Sequence, residues 1–487
     1  MPPALWLIAL PLGAVPLVYL LRKVAWGALV AALVALILAG LVIQTPTGVI
    51  LELLGRSVEL DRLSQIILTL IFVATAFLFL IPVVMRGAAT RTLYKDEAKN
   101  KRVVLSPAVR ARLGRTFYPV GLAVVGLFVA ASLSRHLGFI AIFMQGAVIL
   151  TVFIIQEGRL DSTRAALRFL ILMSLATPLF LLAAWRIDFY QLSGGLQTAA
   201  ASQQTIFLVG VGFAILLAVA PFHGWLTSIA AEASSAVAAF VLITFPAVAI
   251  SALLHVLADF PWLVGSSQVI NAIIIAGIAT AFVGGVMASV QRGFSELMGC
   301  AALYDLGCTL AVLGLGGSTA VLTILVGLAV RALALMLIAA CASAIRLRTS
   351  RDGFAELRGV AQQMPVATIG LLLGGLSLAG APFTAGFASH WQLLRTMVEA
   401  DPRGLILLTI AGLGVAIGYV RGFRATLAPP ENAGKNGGRL RFTLQEPPGA
   451  LGLISLLVVV IILLGLFPAV VIEPLQILAA GISVPIP

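Results

Sequence analysis

Fourteen separate apolar runs, each long enough to cross a lipid bilayer, fill almost all of this 487-residue chain. A helix of about 20 apolar residues spans the hydrocarbon core of a bilayer. Because lipid contains no water to pair with the backbone, such runs cross it as helices that satisfy their own hydrogen bonds. The composition, 61% hydrophobic and 10% charged, agrees. We therefore expect an all-α integral membrane protein and exclude a soluble enzyme held by a single anchor.

The runs define the expected transmembrane helices. We place these at residues 4–22, 25–44, 64–85, 117–133, 138–156, 165–185, 204–222, 234–258, 263–290, 296–316, 319–345, 366–398, 404–428 and 451–475. The longest of them leave room for a tilted or a broken helix.

The basic residues orient this bundle. Most of the 31 Lys and Arg residues fall in alternate loops, at 22–23, 86–116, 157–164, 291–295, 346–364 and 421–447. Cytoplasmic loops of membrane proteins are enriched in Lys and Arg. We therefore expect these loops inside, and both termini on the outer, periplasmic side of a bacterial or archaeal cell (inner) membrane. The net charge of +12 follows from this asymmetry, so no nucleic-acid partner is expected.

No pattern in the sequence predicts a metal or a cofactor. The three cysteines, Cys300, Cys308 and Cys341, lie in apolar runs without a CxxC motif or a His/Cys cluster. They are expected to be small core residues. Nucleotide-binding loops and nucleophile motifs are absent from the sequence as well. We expect a chain without a cofactor, a metal or a catalytic redox site of its own.

Two of the runs contain sequences that interrupt a helix. The seventh ends in APFHGWL, around Pro221, and the twelfth contains GAPFTAGF, with Pro382 and Gly386. Proline removes a helical hydrogen-bond donor and clashes with the preceding turn. Interruptions at corresponding places in two halves point to the ion path of a transporter. Each break falls in the fourth of five runs, so we expect two five-helix repeats. Because five is odd, the second repeat starts on the opposite side of the membrane, and the two repeats have opposite orientations.

This arrangement predicts four parts of the chain. Residues 1–116 would hold three peripheral helices and a basic cytoplasmic loop, 117–258 the first five-helix repeat, 259–428 the second repeat, and 429–487 a linker and the last helix. The alternative is that the prolines merely kink their helices, which membrane proteins tolerate.

The sequences at the two breaks carry a family resemblance. The first is PFHGWLTSIAAEASSAVAAF, residues 221–240, where the family typically reads PFHxWLPDAHxEAPxPVSALL. The second is GLSLAGAPFTAGFASHWQLL, residues 375–394, where the family reads LSLAGxPPxAGFxSKxxLL. The chain resembles the antiporter-like subunits of respiratory complex I (NADH:quinone oxidoreductase chain M/N type), which are related to Mrp antiporter and membrane-bound hydrogenase subunits.

The resemblance implies a fold, partners and an activity. It implies fourteen transmembrane helices with both termini outside, two inverted repeats and broken seventh and twelfth helices. The partners that it implies are other membrane subunits of a complex I-like, hydrogenase-like or Mrp-like assembly in the lipid bilayer. Family members are understood to move protons along a chain of Glu, Lys and His residues at mid-membrane.

The first half lacks the titratable residues that the resemblance implies there. Gln145 stands where the family has a glutamate in the fifth helix, Leu216 where it has a lysine before the break, and Leu242 near its eighth-helix histidine. Glutamine forms hydrogen bonds but exchanges no proton near neutral pH. The family route is therefore expected to be degenerate in this half.

The second half keeps ionisable residues. Arg331 stands at the eleventh-helix lysine of the family, His390 at its twelfth-helix lysine, and Asp305 lies within the tenth run. Charged groups inside a membrane are costly and mark function by default. Histidine titrates near neutrality, whereas arginine keeps its proton. We interpret these three residues as the remaining ion pathway. The alternatives are a structural Asp305–Arg331 ion pair and an interior histidine fixed by hydrogen bonds.

Three further residues are candidates for the pathway: Gln145, which is polar, and Glu232 and His223, which belong to the first signature. For Glu232 the alternative role is capping of a helix. For His223 the alternative is a purely structural role.

These residues lead to one principal hypothesis and two alternatives. The principal one is an antiporter-like, proton-translocating membrane subunit of a complex I-type redox-driven ion pump, of the NADH/quinone or hydrogenase type, with a degenerate first half. The alternatives are a subunit of an Mrp-type sodium/proton antiporter and a non-conducting structural paralogue in such a complex. The choice between H⁺ and Na⁺ as coupling ion stays open.

Overall fold

The helical expectation is confirmed by the structure, a computed structural model. It describes residues 3–22, 24, 26–53, 56–97, 116–157, 162–192, 199–263, 267–316, 319–347, 349, 353–429 and 445–479. Within these ranges ten helices are long and apolar enough to cross a membrane, and five shorter apolar helices accompany them. Most of the predicted basic loop and of the predicted last linker, at 98–115 and 430–444, lies outside the described residues.

The helices follow the order of the predicted runs, and each run contains at least one. They are α1 (Pro3–Leu21), α2 (Gly27–Gln44), α3 (Arg62–Glu97), α4 (Phe117–Leu133), α5 (Leu137–Glu157), α6 (Thr163–Leu192), α7 (Ala199–Leu216), α8 (Gly224–Glu232), α9 (Ser235–Asp259), α10 (Ser267–Val290), α11 (Phe294–Leu315), α12 (Ala320–Arg346), α13 (Val360–Gln363), α14 (Pro365–Leu378), α15 (Phe387–Ala400), α16 (Pro402–Leu427), α17 (Pro448–Leu466) and α18 (Ala469–Ala479). The repeat boundaries at 117–258 and 259–428 stay a prediction.

One element differs from the all-α expectation. Strands β1 (Ile50–Leu53) and β2 (Arg56–Glu59) form an antiparallel hairpin between α2 and α3. Val58 of the hairpin also bridges to Ser134, in the turn between α4 and α5. A two-stranded hairpin is marginally stable alone, so this tertiary contact reinforces it.

Both expected helix breaks are present. Seven residues separate the end of α7 from the start of α8, and the eight residues 379–386 separate α14 from α15. The fourteenth run, expected as one span, is interrupted too, because Phe467 and Pro468 divide α17 from α18. Proline cannot donate the backbone hydrogen bond that would continue α17.

The core of the bundle is formed by α9, α11 and α12, which are buried along most of their length. Against this core α10 and α11 pack with their backbones in contact. A Cβ added at Gly277 of α10 would lie 2.5 Å from the backbone nitrogen of Ala311, and one at Gly284 would lie 2.6 Å from that of Tyr304. Small residues allow such close approach, which drives helix association in lipid.

A polar cluster ties the hairpin to the helices at one edge of the bundle. His255, near the end of α9, lies 2.9 Å from a carboxylate oxygen of Asp61, just before α3. Burial alone would raise the pKa of the Asp61 carboxyl. The hydrogen bond and charge of His255, a hydrogen bond from Ser64 and the charge of Arg135 outweigh burial and hold that pKa below its ordinary value. The ionised carboxylate therefore stabilises the fold.

Asp61→Asn is expected to lower the thermal unfolding midpoint of the complex that contains this chain at neutral pH, and to lower it less in acid. A carboxylate whose folded pKa is lowered contributes its full stabilisation above its unfolded pKa of about 4, and loses it as the pH falls towards the folded pKa. The gap between wild type and variant should therefore shrink from about pH 7 to about pH 3. Asp401→Asn, at the exposed cap of α16, is the control; a gap for Asp61→Asn that is the same at both pH values would contradict the ion pair.

Candidate functional site

The second helix break is held by a few backbone contacts. Gly380 has a φ of +73°, a conformation that favours glycine. The amide of Gly386 donates to the Ser377 hydroxyl at 3.1 Å, which satisfies a backbone group that the break leaves free. The chain then enters α15, whose first turn carries His390 into the interior of the bundle.

His390 is fixed in one orientation inside the bundle. Its ring stacks on that of Tyr304, with centroids 5.6 Å apart and an interplanar angle of 20°. A Cβ added at Gly380 would collide with the imidazole. Nδ1 lies 3.0 Å from the carbonyl oxygen of Gly386, which can only accept, so Nδ1 donates and carries a hydrogen. The neutral imidazole therefore keeps its lone pair on Nε2.

The Nε2 atom of His390 faces a buried ion pair. Nη1 of Arg331 on α12 donates to Oδ2 of Asp305 on α11 at 2.8 Å. The other carboxylate oxygen, Oδ1, lies 3.9 Å from Nε2 of His390. Arg331 is 1% exposed and Asp305 is 5% exposed. A buried charge of either sign is tolerated when it is paired, so the two groups support each other. We call Asp305, Arg331 and His390 the ion cluster.

The first helix break carries no comparable cluster in the described residues. Its loose backbone is satisfied by neutral groups: Trp225 Nε1 donates to the carbonyl of Ile215 at 3.0 Å, and the amide of Ala220 donates to the Thr280 hydroxyl at 3.1 Å. His223 lies directly before α8, and its Nδ1 has no hydrogen-bond partner among the described residues. Pro221 lies within this break, as Pro382 and Gly386 lie within the second.

Gln145 is not part of the ion cluster. Its amide nitrogen donates to the Ser174 hydroxyl and its amide oxygen accepts from the Thr177 hydroxyl, each at 2.8 Å. Beside it lies a cavity of about 10 Å³. Apart from Gln145 and Thr177 its lining is apolar, and Leu216 forms part of that lining. A space of this size holds about one water molecule. The arrangement offers hydrogen bonds in the first half but no group that exchanges a proton.

Glu232 lies at the end of α8 and forms its hydrogen bond with α6. Its carboxylate accepts from the amide of Ala165 at 2.8 Å, in the first turn of α6. The first amides of a helix have no helical acceptor, and a carboxylate there also complements the helix dipole. The structure therefore gives Glu232 a capping contact.

Comparison with known proteins identifies the family. Residues 134–415, more than half of the chain, match the model of the NADH:quinone oxidoreductase/Mrp antiporter transmembrane family. The chain belongs to this family. NADH-quinone oxidoreductase subunit N of Pelobacter propionicus is 25% identical to it over 425 residues, 82% of this chain and 84% of that protein. The resemblance carried by the two signatures is confirmed.

Solved structures share the fold of this antiporter-like subunit. A chain of respiratory complex I from Thermus thermophilus has a TM-score of 0.76 at 21% identity and covers 99% of this chain and 100% of its own length. A chain of the Mrp complex from Dietzia sp. DQ12-45-1b has a TM-score of 0.78 at 16% identity, over 99% of this chain and 98% of that one. At these identities the likeness shows the fold alone. The expected fold class, a multi-pass antiporter-like membrane fold, is confirmed.

Sequence reasoning missed three features of the ion cluster in this antiporter-like subunit. One is the ring of Tyr304, which its position beside Asp305 could have suggested. The second is Gly380, which leaves space for the imidazole of His390. Its position in the break could have suggested this role. The third is a backbone atom: Nε of Arg331 donates to the carbonyl oxygen of Leu242 on α9 at 3.2 Å.

Proposed function

We propose that this chain is a proton-translocating membrane subunit of a complex I-type redox-driven ion pump, of the NADH/quinone or hydrogenase type, and that the ion path runs through its second half. The observation that carries the proposal is the ion cluster: a histidine with a free ring nitrogen, 3.9 Å from a buried carboxylate that is shared with an arginine. Redox chemistry belongs to other subunits, since nothing in this sequence predicts a redox site.

His390 is the group that takes up and releases the proton. The proton binds to the lone pair on Nε2, because Nδ1 already donates to Gly386. The imidazolium that results carries its new hydrogen towards Asp305 Oδ1. Before protonation the cluster is neutral; afterwards it carries one net positive charge in a low-dielectric interior, which is unfavourable. That cost favours release once a neighbouring charge or helix shifts.

Arg331 and Asp305 set the field at His390 rather than relay protons. Arginine stays charged at physiological pH. Its guanidinium pairs with one oxygen of the Asp305 carboxylate, and the other oxygen of that carboxylate lies beside the imidazole. Nη2 of Arg331 and Nε2 of His390 have no hydrogen-bond partner among the described residues. Buried polar atoms of this kind are where water binds in polar interiors, which supports a hydrated path beside the cluster.

Gln145→Leu is expected to leave translocation by the assembled complex unchanged within about twofold. Gln145 exchanges no proton near neutral pH. Its two hydrogen bonds join it only to the hydroxyls of Ser174 and Thr177. The measurement is the initial rate of redox-driven proton uptake into proteoliposomes that contain the whole complex. Loss of translocation in this variant, with normal assembly, would instead place the path in the first half.

Gly380→Ala is expected to reduce that rate by about 10²-fold, because misplacing a reacting group by about 1 Å has effects of this size. The added methyl group collides with the imidazole of His390, and the positive φ strains any residue other than glycine. Gly452→Ala on α17 is the matched control, since an added Cβ there meets no atom within 4 Å. A wild-type rate in Gly380→Ala would contradict the role of the fixed imidazole.

The assembly itself is tested by purification through a tag on this chain. We expect other membrane subunits to co-elute, since the matched structures are multi-subunit complexes, and the proposed redox-driven pump requires peripheral redox subunits among them. Proton uptake should then depend on the electron donor. Orientation is tested with the same sample: the excess of Lys and Arg in alternate loops favours both termini on the periplasmic side of the cell (inner) membrane, so terminal tags should be accessible from outside spheroplasts.

The alternative is a subunit of an Mrp-type sodium/proton antiporter. The family model that the chain matches covers Mrp antiporters as well as NADH:quinone oxidoreductases, which favours this alternative. Such a complex would exchange Na⁺ for H⁺ under an ion gradient without an electron donor. A purified complex that translocates in neither assay would make this chain a non-conducting structural paralogue.

A further inference from the structure

Pro246 lies inside α9, buried in the core of the bundle. Proline has no backbone N–H, so it removes the hydrogen bond that would reach the carbonyl four residues earlier, and its ring pushes that carbonyl aside. In α9 this carbonyl belongs to Leu242. A fully buried carbonyl without a donor is costly, so a partner from outside the helix is favoured there.

That partner is Arg331. Its Nε donates to the Leu242 carbonyl at 3.2 Å, while its Nη1 donates to Asp305 at 2.8 Å. The guanidinium therefore bridges α9 and α11 from its own helix, α12. Because the group is planar and rigid, two partners on different helices fix its orientation.

We propose that Pro246 is a positioning residue for the ion path: by freeing the Leu242 carbonyl it supplies the docking point that holds Arg331 against Asp305. The inference rests on the proposed function, in which Arg331 and Asp305 set the field at His390. In this proposal the first half contributes to the ion path without supplying a titratable side chain. α9 contributes a main-chain oxygen to the cluster of the second half.

The test is a double-mutant cycle in the whole complex, with redox-driven proton uptake as the readout. Pro246→Ala restores the helical donor, turns the carbonyl back towards the axis of α9 and should lower the rate about tenfold, as expected for a lost hydrogen bond to a charged group. Arg331→Lys keeps the positive charge. An ammonium group lacks the planar set of N–H donors with which the guanidinium bonds both Asp305 and the Leu242 carbonyl. The variant with both changes should be no slower than Arg331→Lys alone.

Pro82→Ala in α3 is the matched control. It restores the donor for the carbonyl of Leu78, a buried residue whose carbonyl accepts no side-chain hydrogen bond in the described part of the chain. Pro82→Ala should leave the rate near that of wild type. When it is combined with Arg331→Lys, the effects of the two changes on the rate should multiply, as expected for independent sites. The pH profile of the rate should move in Pro246→Ala in the same direction as in Arg331→Lys, and stay in place in Pro82→Ala.

A wild-type rate in Pro246→Ala, or effects of Pro246→Ala and Arg331→Lys that multiply, would overturn the proposal. If Pro246→Ala fails to assemble, an experimental density map of the wild-type complex tests the proposal independently. Arg331 Nε within hydrogen-bond distance of the Leu242 oxygen would support the proposal. A guanidinium turned away from α9 would overturn it. An unchanged rate in Arg331→Lys would count against the proposed function, and the map then decides the Pro246 contact alone.

Discussion

His390→Gln is expected to abolish ion translocation by the assembled complex while leaving its assembly intact. Glutamine can still donate a hydrogen bond to the Gly386 carbonyl, but it offers no atom that binds a proton near neutral pH. Loss of a proton-transfer group typically costs about 10²–10⁴-fold in rate. The measurement is the initial rate of redox-driven proton uptake into proteoliposomes, normalised to the amount of intact complex.

His255→Gln is the matched control for this variant. His255 is also buried and also bonded to an aspartate, Asp61, but that pair lies at the edge of the bundle beside the hairpin. We expect it to lower stability and to leave the rate per intact complex unchanged. An equal loss of rate in both variants, or none in His390→Gln, would place the path elsewhere.

Asp305→Asn is expected to prevent stable assembly of the complex. The guanidinium of Arg331, 1% exposed, would stay buried without a counter-charge. Removing one partner of a buried ion pair typically destabilises a protein by about 3–5 kcal/mol. The measurement is the yield of intact complex and its thermal unfolding midpoint in detergent.

Removing both charges separates this structural effect from transport. In the variant Asp305→Leu/Arg331→Met no charge is left buried, and such replacements are often neutral or stabilising. We expect assembly to return while translocation stays lost, because the field at His390 has gone. A double variant as unstable as Asp305→Asn would contradict the charge argument, and one that translocates at the wild-type rate would remove the pair from the path.

The helices of this chain could be predicted from the sequence because lipid leaves an apolar run few alternatives to a helix. The two breaks were predictable because Pro221 and Pro382, which each remove a helical hydrogen-bond donor, lie within the two family signatures, whereas Pro82 and Pro246 lie outside them and are accommodated inside helices. Pro468 also interrupts its run, but that run lies outside the two signatures and is long enough to form a single span. Local chemistry was sufficient for the helices and for the two breaks that the signatures marked.

What could not be predicted depends on contacts between distant parts of the chain. The hairpin at residues 50–59 is too short to be marked by alternation, and a bridge to Ser134 reinforces it. Asp61 and His255 are 194 residues apart in the sequence. The residue types at Asp305, Arg331 and His390 indicated an ion path, but the acceptor on Leu242 is a main-chain atom that no pattern of side chains reveals.

The close seam between α10 and α11 determines which parts of the ion cluster can move. Because a Cβ added at Gly277 would lie only 2.5 Å from the backbone nitrogen of Ala311, sliding or rotating one helix against the other requires the two helices to separate. Asp305 lies on this closely packed pair of helices. His390 lies on α15, which follows the interrupted backbone at residues 379–386, so a change in the separation of imidazole and carboxylate requires a movement of α15 relative to the α10–α11 pair.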